Sequence, residues 1–421
     1  MPELRSLSPN RLDRDDPLVG FRSRFVVDDP GLCYLDGNSL GRLPAETVAR
    51  IQTVVNEEWG RGLVRSWPAA WVELPERIGG KIARLIGADA GEVIVADSTT
   101  VNLFKLAVAG LRAQPGRTRI ITDALNFPSD LYALQAAARL CGPDYEVEIL
   151  DSVDGISVPA EALAAAIDER TALVELSHVA FKSGHLYDMA AISAAAHAQG
   201  ALVLWDLCHS VGVLPIDLRA AGADLAIGCT YKYLNGGPGS PAFLFVRETL
   251  QDRIENPING WFGDAQPFEF ALDHRPAKGI RSLLTGTPPV LSLAAIEPGV
   301  DLVLEAGIER IREKSMRQTR YLIERFDVEL VPLGFELRSP REAEWRGSHV
   351  SLGHAEGLRI ARALIDRMGV IPDFRAPDNI RLGVAPLYTS YEELERAVQA
   401  LRVVVRDGLY ADYSATLAGV T

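Results

Sequence analysis

Between residues 80 and 250 the chain spaces seven short apolar runs with helix-length segments, and this alternation narrows the possible folds more than any other feature. The runs fall at 92–97, 119–123, 146–150, 172–177, 201–206, 225–228 and 242–246. Near-continuous β-branched runs without polar alternation require a sheet buried on both faces, and the intervening segments supply its covering helices. Ala-rich stretches such as 159–168 and 190–199 have the length and propensity for that task. The last two runs are joined without a full crossover helix, so the final strand is expected to enter antiparallel.

After Pro288 and Pro289 the rhythm changes. A helical pattern over 290–326, a strand-like run at 349–352 and a helix over 357–368 are followed by an extended pair around 370–374 and 379–384, then a helix over 391–405. These predict a smaller α+β domain. Residues up to about 50 show no strand that would complete the large sheet, and are expected to pack with the small domain. The expected division is 1–50 for this N-terminal segment, 51–289 for the large α/β domain and 290–421 for the small one. No repeat or low-complexity tract is present, and the chain beyond Asp407 is too weakly patterned to assign.

Charge and composition exclude several functions. A net charge of −13 argues against sequence-independent binding to nucleic acid or anionic membrane. No apolar run approaches the ~18 residues of a membrane span. The first ten residues hold no apolar core of the signal-peptide kind, so a cytoplasmic protein is expected. Cys33, Cys141, Cys208 and Cys229 form no Cys-x-x-Cys pair, and the seven histidines show no metal-type spacing. Neither a disulfide framework nor a metal site is expected.

Among 43 basic residues only six are lysines. One of them, Lys232, stands between Tyr231 and Tyr233, after an apolar run and before Gly-Gly-Pro-Gly. A desolvated lysine can lose its proton whereas an arginine cannot, so a lysine on a tight loop is a candidate for Schiff-base chemistry. The alternative is an ordinary turn lysine.

Ligands of open α/β sheets sit outside the carboxyl ends of the strands. The first run leads into Ser98, Thr99 and Thr100 at a helix start, which either cap the helix or help bind a phosphate. The second leads to Asn126-Phe-Pro-Ser-Asp130, a proline turn with a cap or an aromatic placed over a planar ring. The fifth ends in Asp206, whose burial is costly unless a cation meets it. A protonated pyridine nitrogen would be such a cation. Together these features describe a pyridoxal phosphate site on a large α/β domain.

At these residues the chain resembles the kynureninases, pyridoxal-phosphate enzymes of the aminotransferase-like (fold type I) superfamily. The resemblance is carried by Tyr34-Leu-Asp-Gly-Asn-Ser-Leu-Gly-Arg-Leu-Pro44, Asp97-Ser-Thr-Thr-Val-Asn-Leu-Phe-Lys105, Asn126-Phe-Pro-Ser-Asp-Leu-Tyr132, Trp205-Asp-Leu-Cys-His-Ser-Val-Gly212 and the Lys232 loop. Further matches lie at Trp261-Phe-Gly263, Gly286-Thr-Pro-Pro289 and Ile380-Arg-Leu-Gly-Val-Ala-Pro-Leu-Tyr388.

The resemblance implies hydrolysis of L-kynurenine to anthranilate and L-alanine, within tryptophan degradation or NAD biosynthesis. It implies that Lys232 anchors the cofactor and then takes the α-proton, that Asp206 pairs with the ring nitrogen, and that Tyr231 relays a proton at the β carbon. Thr99, Thr100, Phe127, Pro128, Ser129, Asp130, His209 and Tyr231 would surround the ring and phosphate. Trp261 and Thr287 would reach a phosphate across a homodimer. Arg381 would grip the substrate carboxylate, with Asn38, Ser39 and Arg61 completing the substrate site. Animal members carry a histidine near the position of Arg61 and an asparagine where Thr287 stands; resemblance to the bacterial type implies that 3-hydroxykynurenine is the poorer substrate. The rival readings are an aminotransferase, a cysteine desulfurase or a non-catalytic binding protein of the same fold. A desulfurase needs a reactive cysteine on a loop after the lysine, and none follows Cys229.

Overall fold

The computed structural model describes residues 4–416. The outer ends of the expected N-terminal segment and small domain, 1–3 and 417–421, lie outside the described residues. The strands are β1 (Cys33–Tyr34), β2 (Val93–Val95), β3 (Arg119–Asp123), β4 (Glu146–Leu150), β5 (Thr171–Ser177), β6 (Leu202–Asp206), β7 (Leu225–Gly228), β8 (Phe243–Val246), β9 (Glu336–Leu337), β10 (His349–Gly353), β11 (Val370–Ile371), β12 (Asp373–Arg375) and β13 (Asn379–Gly383). All seven apolar runs are strands of one sheet, in the order β2-β8-β7-β6-β5-β3-β4. β8 is antiparallel to both neighbours and the remaining pairs are parallel, as the missing crossover predicts. β2, β5, β6, β7 and β8 are buried along their length, which is why their sequences show no alternation.

Two helices start at the carboxyl edge of this sheet. Ser98 caps Thr99–Arg112 by accepting from the Val101 amide at 3.4 Å, and Pro128 opens Pro128–Cys141 where its missing N–H costs nothing. The first helix begins at Thr99, four residues before the apolar stretch that announces it in the sequence. The helical pattern over 290–326 is two helices, Val290–Ala306 and Ile308–Glu329, broken at Gly307 with φ +82°. Among the described residues no helix is long and apolar enough to cross a membrane.

A second sheet orders β12-β13-β10-β9, and β1 pairs in parallel with β11. β1 lies within the N-terminal segment and is not part of the large sheet, and nothing in the sequence announces it. Two residues are too few to show a period, and their partner lies more than three hundred positions away. Leu12, Cys33 and Leu35 share a core with Leu322, Leu352, Leu364 and Leu394. Asp13 also receives the Tyr391 and Glu392 amides at 2.7 and 3.0 Å, capping the last helix, Tyr391–Arg406, from the other end of the chain.

The Lys232 loop is gripped by backbone. The Gly41 amide donates to the Tyr231 carbonyl at 2.8 Å, and a Cβ at Gly41 would stand 2.3 Å from the Lys232 carbonyl oxygen. From the other side Gly299, within Val290–Ala306, would bring a Cβ to 2.0 Å from the Leu234 carbonyl oxygen. Helix and loop meet only because both positions lack a side chain. Gly299→Ala is therefore expected to destabilise the fold by about 1–3 kcal/mol, as overpacking does. Thermal denaturation checks this, and an unchanged melting temperature would contradict it.

Candidate active site

The chain runs from β3 outward to β4, then returns across β3 to β5 and on to β6. Crevices form at such reversals, outside the carboxyl ends of the strands. The cleft here is lined by Asp206 and His209 after β6, Tyr231 and Lys232 after β7, and Thr99, Thr100, Phe127, Ser129 and Asp130 from the two helix starts. Asn38 and Ser39 enter from the N-terminal segment and Arg381 from β13.

Lys232 Nζ lies 2.9 Å from His209 Nε2. Burial, then the charges of Lys232 and Arg381, hold the imidazole far below its usual pKa, so His209 is neutral. Lys232 Nζ therefore donates to Nε2, leaving the ring proton on Nδ1.

Three carboxyl groups meet beneath the cleft. Asp206 Oδ1 accepts the Cys208 amide at 2.8 Å, and its Oδ2 lies 3.3 Å from the Ser177 hydroxyl. Asp130 is raised well above the carboxylate range by burial first, then by the negative charges of Asp206 and Glu175 and a hydrogen bond to Asp206. Glu175, fully buried, is raised by burial and then by Asp206 and Asp123. Protons therefore stay on Asp130 and Glu175. Asn126 ties the group together: its amide donates to Glu175, and its Oδ1 receives the Ser177 hydroxyl at 2.6 Å and the Phe127 amide at 2.9 Å.

At the other end of the cleft the Thr100 and Ser129 hydroxyls lie 2.7 Å apart, each in the first turn of its helix. Two helix N-termini converging with paired hydroxyls make an anion site. Phe127 stands over the space between, edge-on to Phe181 with ring centroids 5.2 Å apart. Tyr231 is kept protonated, chiefly by Cys229 and then by burial.

Arg381, fully buried, donates to Asp373, to Ser39 Oγ at 2.9 Å and to the Phe181 carbonyl at 2.5 Å. Arg375, also lining the cleft, shares Asp373 at 3.0 Å. Two guanidinium groups on one carboxylate leave positive charge facing the cleft. The buried Asn38 side-chain oxygen and nitrogen have no partner.

Four expected residues lie elsewhere. Pro128 forms the helix start without lining the cleft. Trp261 and Thr287 are exposed, and Arg61 is exposed with Glu57 at 2.6 Å. Sequence reasoning missed Phe181, Cys208 and Arg375 in the cleft, and Asn126, Glu175, Ser177 and Asp373 behind it. Asn126 and Cys208 sit inside the quoted motifs, Glu175 and Ser177 inside the apolar run at 172–177 and Asp373 inside the extended stretch around 370–374; Phe181 and Arg375 lie in segments with no signal. Among the described residues no group of three or more His, Cys, Asp or Glu side chains is placed to hold a metal.

Residues 75–226 match the model of the DegT/DnrJ/EryC1/StrS aminotransferase family, and residues 311–401 that of the kynureninase C-terminal domain. The apo cysteine desulfurase from Thermococcus onnurineus NA1 superposes with a TM-score of 0.79 over 95% of this chain and 98% of that one, at 19% identity. A C-DES mutant with glycine covalently linked to its PLP cofactor gives 0.78 over 90% and 98%, at 18% identity. The fold is that of the fold type I pyridoxal-phosphate enzymes. Kynureninase from Pseudomonas fluorescens is 46% identical over 395 residues, 93% of each chain, and that from Burkholderia pseudomallei 42% over 416 residues, 97% of this chain and 98% of the other. The chain belongs to the kynureninase family.

The cleft fits pyridoxal phosphate on its own geometry. Asp206 is a nearly buried carboxylate with no cation bonded to it, and the adjoining Asp130 Oδ2 is buried without a partner. These suit a protonated ring nitrogen, the Thr100–Ser129 pair suits a phosphate, and Lys232 and Arg381 line the same cleft.

Asp36, below Ser39 and Arg381, is pushed up to about 6 by burial and then by the charge of Asp373. An unfolded aspartate titrates near ~3.9. Because the folded value is the higher, Asp36 favours folding below about pH 4, and that contribution is lost as pH rises to about 6. Asp36→Asn should therefore melt above the wild type at neutral pH, with the difference closing toward pH 4. Melting curves across this range check it; a difference that stays constant would contradict it.

Proposed function

We propose that this protein hydrolyses L-kynurenine to anthranilate and L-alanine, with pyridoxal phosphate anchored on Lys232. The reading is carried by one observation: Lys232, Asp206, the Thr100–Ser129 hydroxyls and Arg381 share one cleft in a chain of the kynureninase family. When bound, the cofactor supplies a carbonyl carbon for amines and a ring that stores the electrons of a broken bond.

The chain's own residues do the rest. Asp206 would keep the ring nitrogen charged, and Phe127 would cover the ring face. Arg381, its plane fixed by Asp373, binds the substrate carboxylate with Ser39 beside it. Lys232, once freed, would take the α-proton, with neutral His209 at 2.9 Å accepting a hydrogen bond from Nζ and holding it in place. Breaking the bond between the β and γ carbons with water leaves a proton to be added at the β carbon. Tyr231, protonated and beside Lys232, is the donor assigned to that atom.

Arg61 and Thr287 resemble the bacterial pattern, which supports unhydroxylated kynurenine as the better substrate. A homodimer with shared sites would explain why Arg61, Trp261 and Thr287 lie outside their own cleft, and why Trp261, Phe268, Phe270 and Leu272 are exposed together. We divide the chain at about residues 50 and 289, and place it in the cytoplasm, where four free cysteines are at home.

Kynurenine added to the purified protein should yield fluorescent anthranilate. Lys232→Ala should lower the rate by roughly 10³-fold or more and abolish the cofactor's visible absorption band. The kcat/KM for 3-hydroxykynurenine should be the lower one. Turnover only with a keto-acid acceptor, and no anthranilate, would sink the assignment. Light scattering should show a dimer, and a fully active monomer would rule out shared sites.

A further inference from the structure

Two cysteines face each other under the cleft. β6 and β7 pair Asp206 with Ile227, the Leu207 amide continues the ladder to the Ile227 carbonyl at 2.8 Å, and two residues past each member of that pair stand Cys208 and Cys229. Opposite residues on neighbouring strands lie about 4.8 Å apart, inside the Cα separation of roughly 4.4–6.8 Å that a disulfide spans. The Cys229 amide donates to Cys208 Sγ at 3.1 Å, and the Cys229 thiol donates to the Cys208 carbonyl at 3.8 Å. Both are free and buried. Cys208 lines the cleft, its Sγ 3.9 Å from Thr99 Oγ1, so a small molecule entering the cleft reaches the pair. The other cysteines lie apart: Cys33 Sγ is 3.2 Å from the Glu393 carbonyl, and Cys141 ends the helix Pro128–Cys141.

We propose that Cys208 and Cys229 form an oxidation site, joined by a peroxide into a disulfide that stops catalysis until it is reduced. One sulfur attacks a peroxide oxygen, the O–O bond breaks, and a sulfenic acid and one water form. The second sulfur attacks the first, the S–O bond breaks, the S–S bond forms and a second water leaves. Two thiols lose two electrons and one hydrogen peroxide becomes two waters. Burial opposes ionisation of Cys229, but contact with Cys208 and the positive charge of Lys232 bring its thiol below the ordinary value, which favours the thiolate this chemistry uses.

The pair sits where a small movement matters. Cys208 donates its amide to Asp206, and Cys229 precedes Lys232 by three residues with its thiol against Tyr231. A bond between the sulfurs replaces the Cys229 amide contact and shifts both strand ends. Displacing a catalytic group by about 1 Å costs on the order of a hundredfold. The effect on turnover rests on the function proposed above, whereas bond formation does not.

The test is to expose the cofactor-loaded enzyme and a cofactor-stripped sample to hydrogen peroxide, block remaining thiols, and map peptides without reduction. Expected is a peptide pair joined through Cys208 and Cys229, with activity falling roughly tenfold or more; dithiothreitol should reverse both. Cys208→Ser, compared with its own untreated rate, should lose less. Absence of the joined peptide from both samples overturns the site, and a joined peptide in the loaded enzyme with unchanged turnover overturns the control of catalysis. The peptide readout needs no substrate, so a failed anthranilate assay would not obscure it.

Discussion

A carboxylate taken out of water costs several kcal/mol unless partners meet it, and at the end of β6 three carboxyl groups are buried together. Asp130 and Glu175 resolve the conflict by keeping their protons. Ser177 and Asn126 fix the neighbours of Asp206, and the same Asn126 oxygen holds the Phe127 amide. Asp206 and Phe127, which we propose meet the ring nitrogen and the ring face, are thus set by one hydrogen-bonded group. Cation placement follows the same economy, with neutral His209 beside Lys232 and Asp373 shared between Arg375 and Arg381.

The lysine loop depends on approaches that no side chain could survive. Gly41 and Gly299 press on its backbone from opposite sides, one from the N-terminal segment and one from the helix Val290–Ala306. This links the N-terminal segment, the Lys232 loop and the helix Val290–Ala306. The N-terminal segment also caps the last helix through Asp13, so distant parts of the sequence hold one another in place.

Much of the fold was legible. The seven runs are the seven strands because burial on both faces removes polar alternation, and the antiparallel entry of β8 followed from the missing crossover. A short element was not: β1 has two residues and exists only because it pairs with β11. The break at Gly307 was hidden by a helical pattern that continues on both sides. In the site, Lys232, Asp206 and the helix-start hydroxyls announced themselves through residue type and position. Glu175 and Ser177 did not, because they read as ordinary members of an apolar strand. Arg375 and Phe181 stand in segments with no motif, and only folding brings them to the cleft.

The sequence by itself determined the local periods, the helix starts and a set of motifs specific enough to name a family, since these depend on neighbours along the chain. The tertiary structure decided which acids keep their protons, which arginines share an aspartate, and that Cys208 faces Cys229. It also left Arg61, Trp261 and Thr287 outside their own cleft. Charge state and contact depend on separation in space, and residues brought together by β6, β7 and β13 lie far apart in the chain.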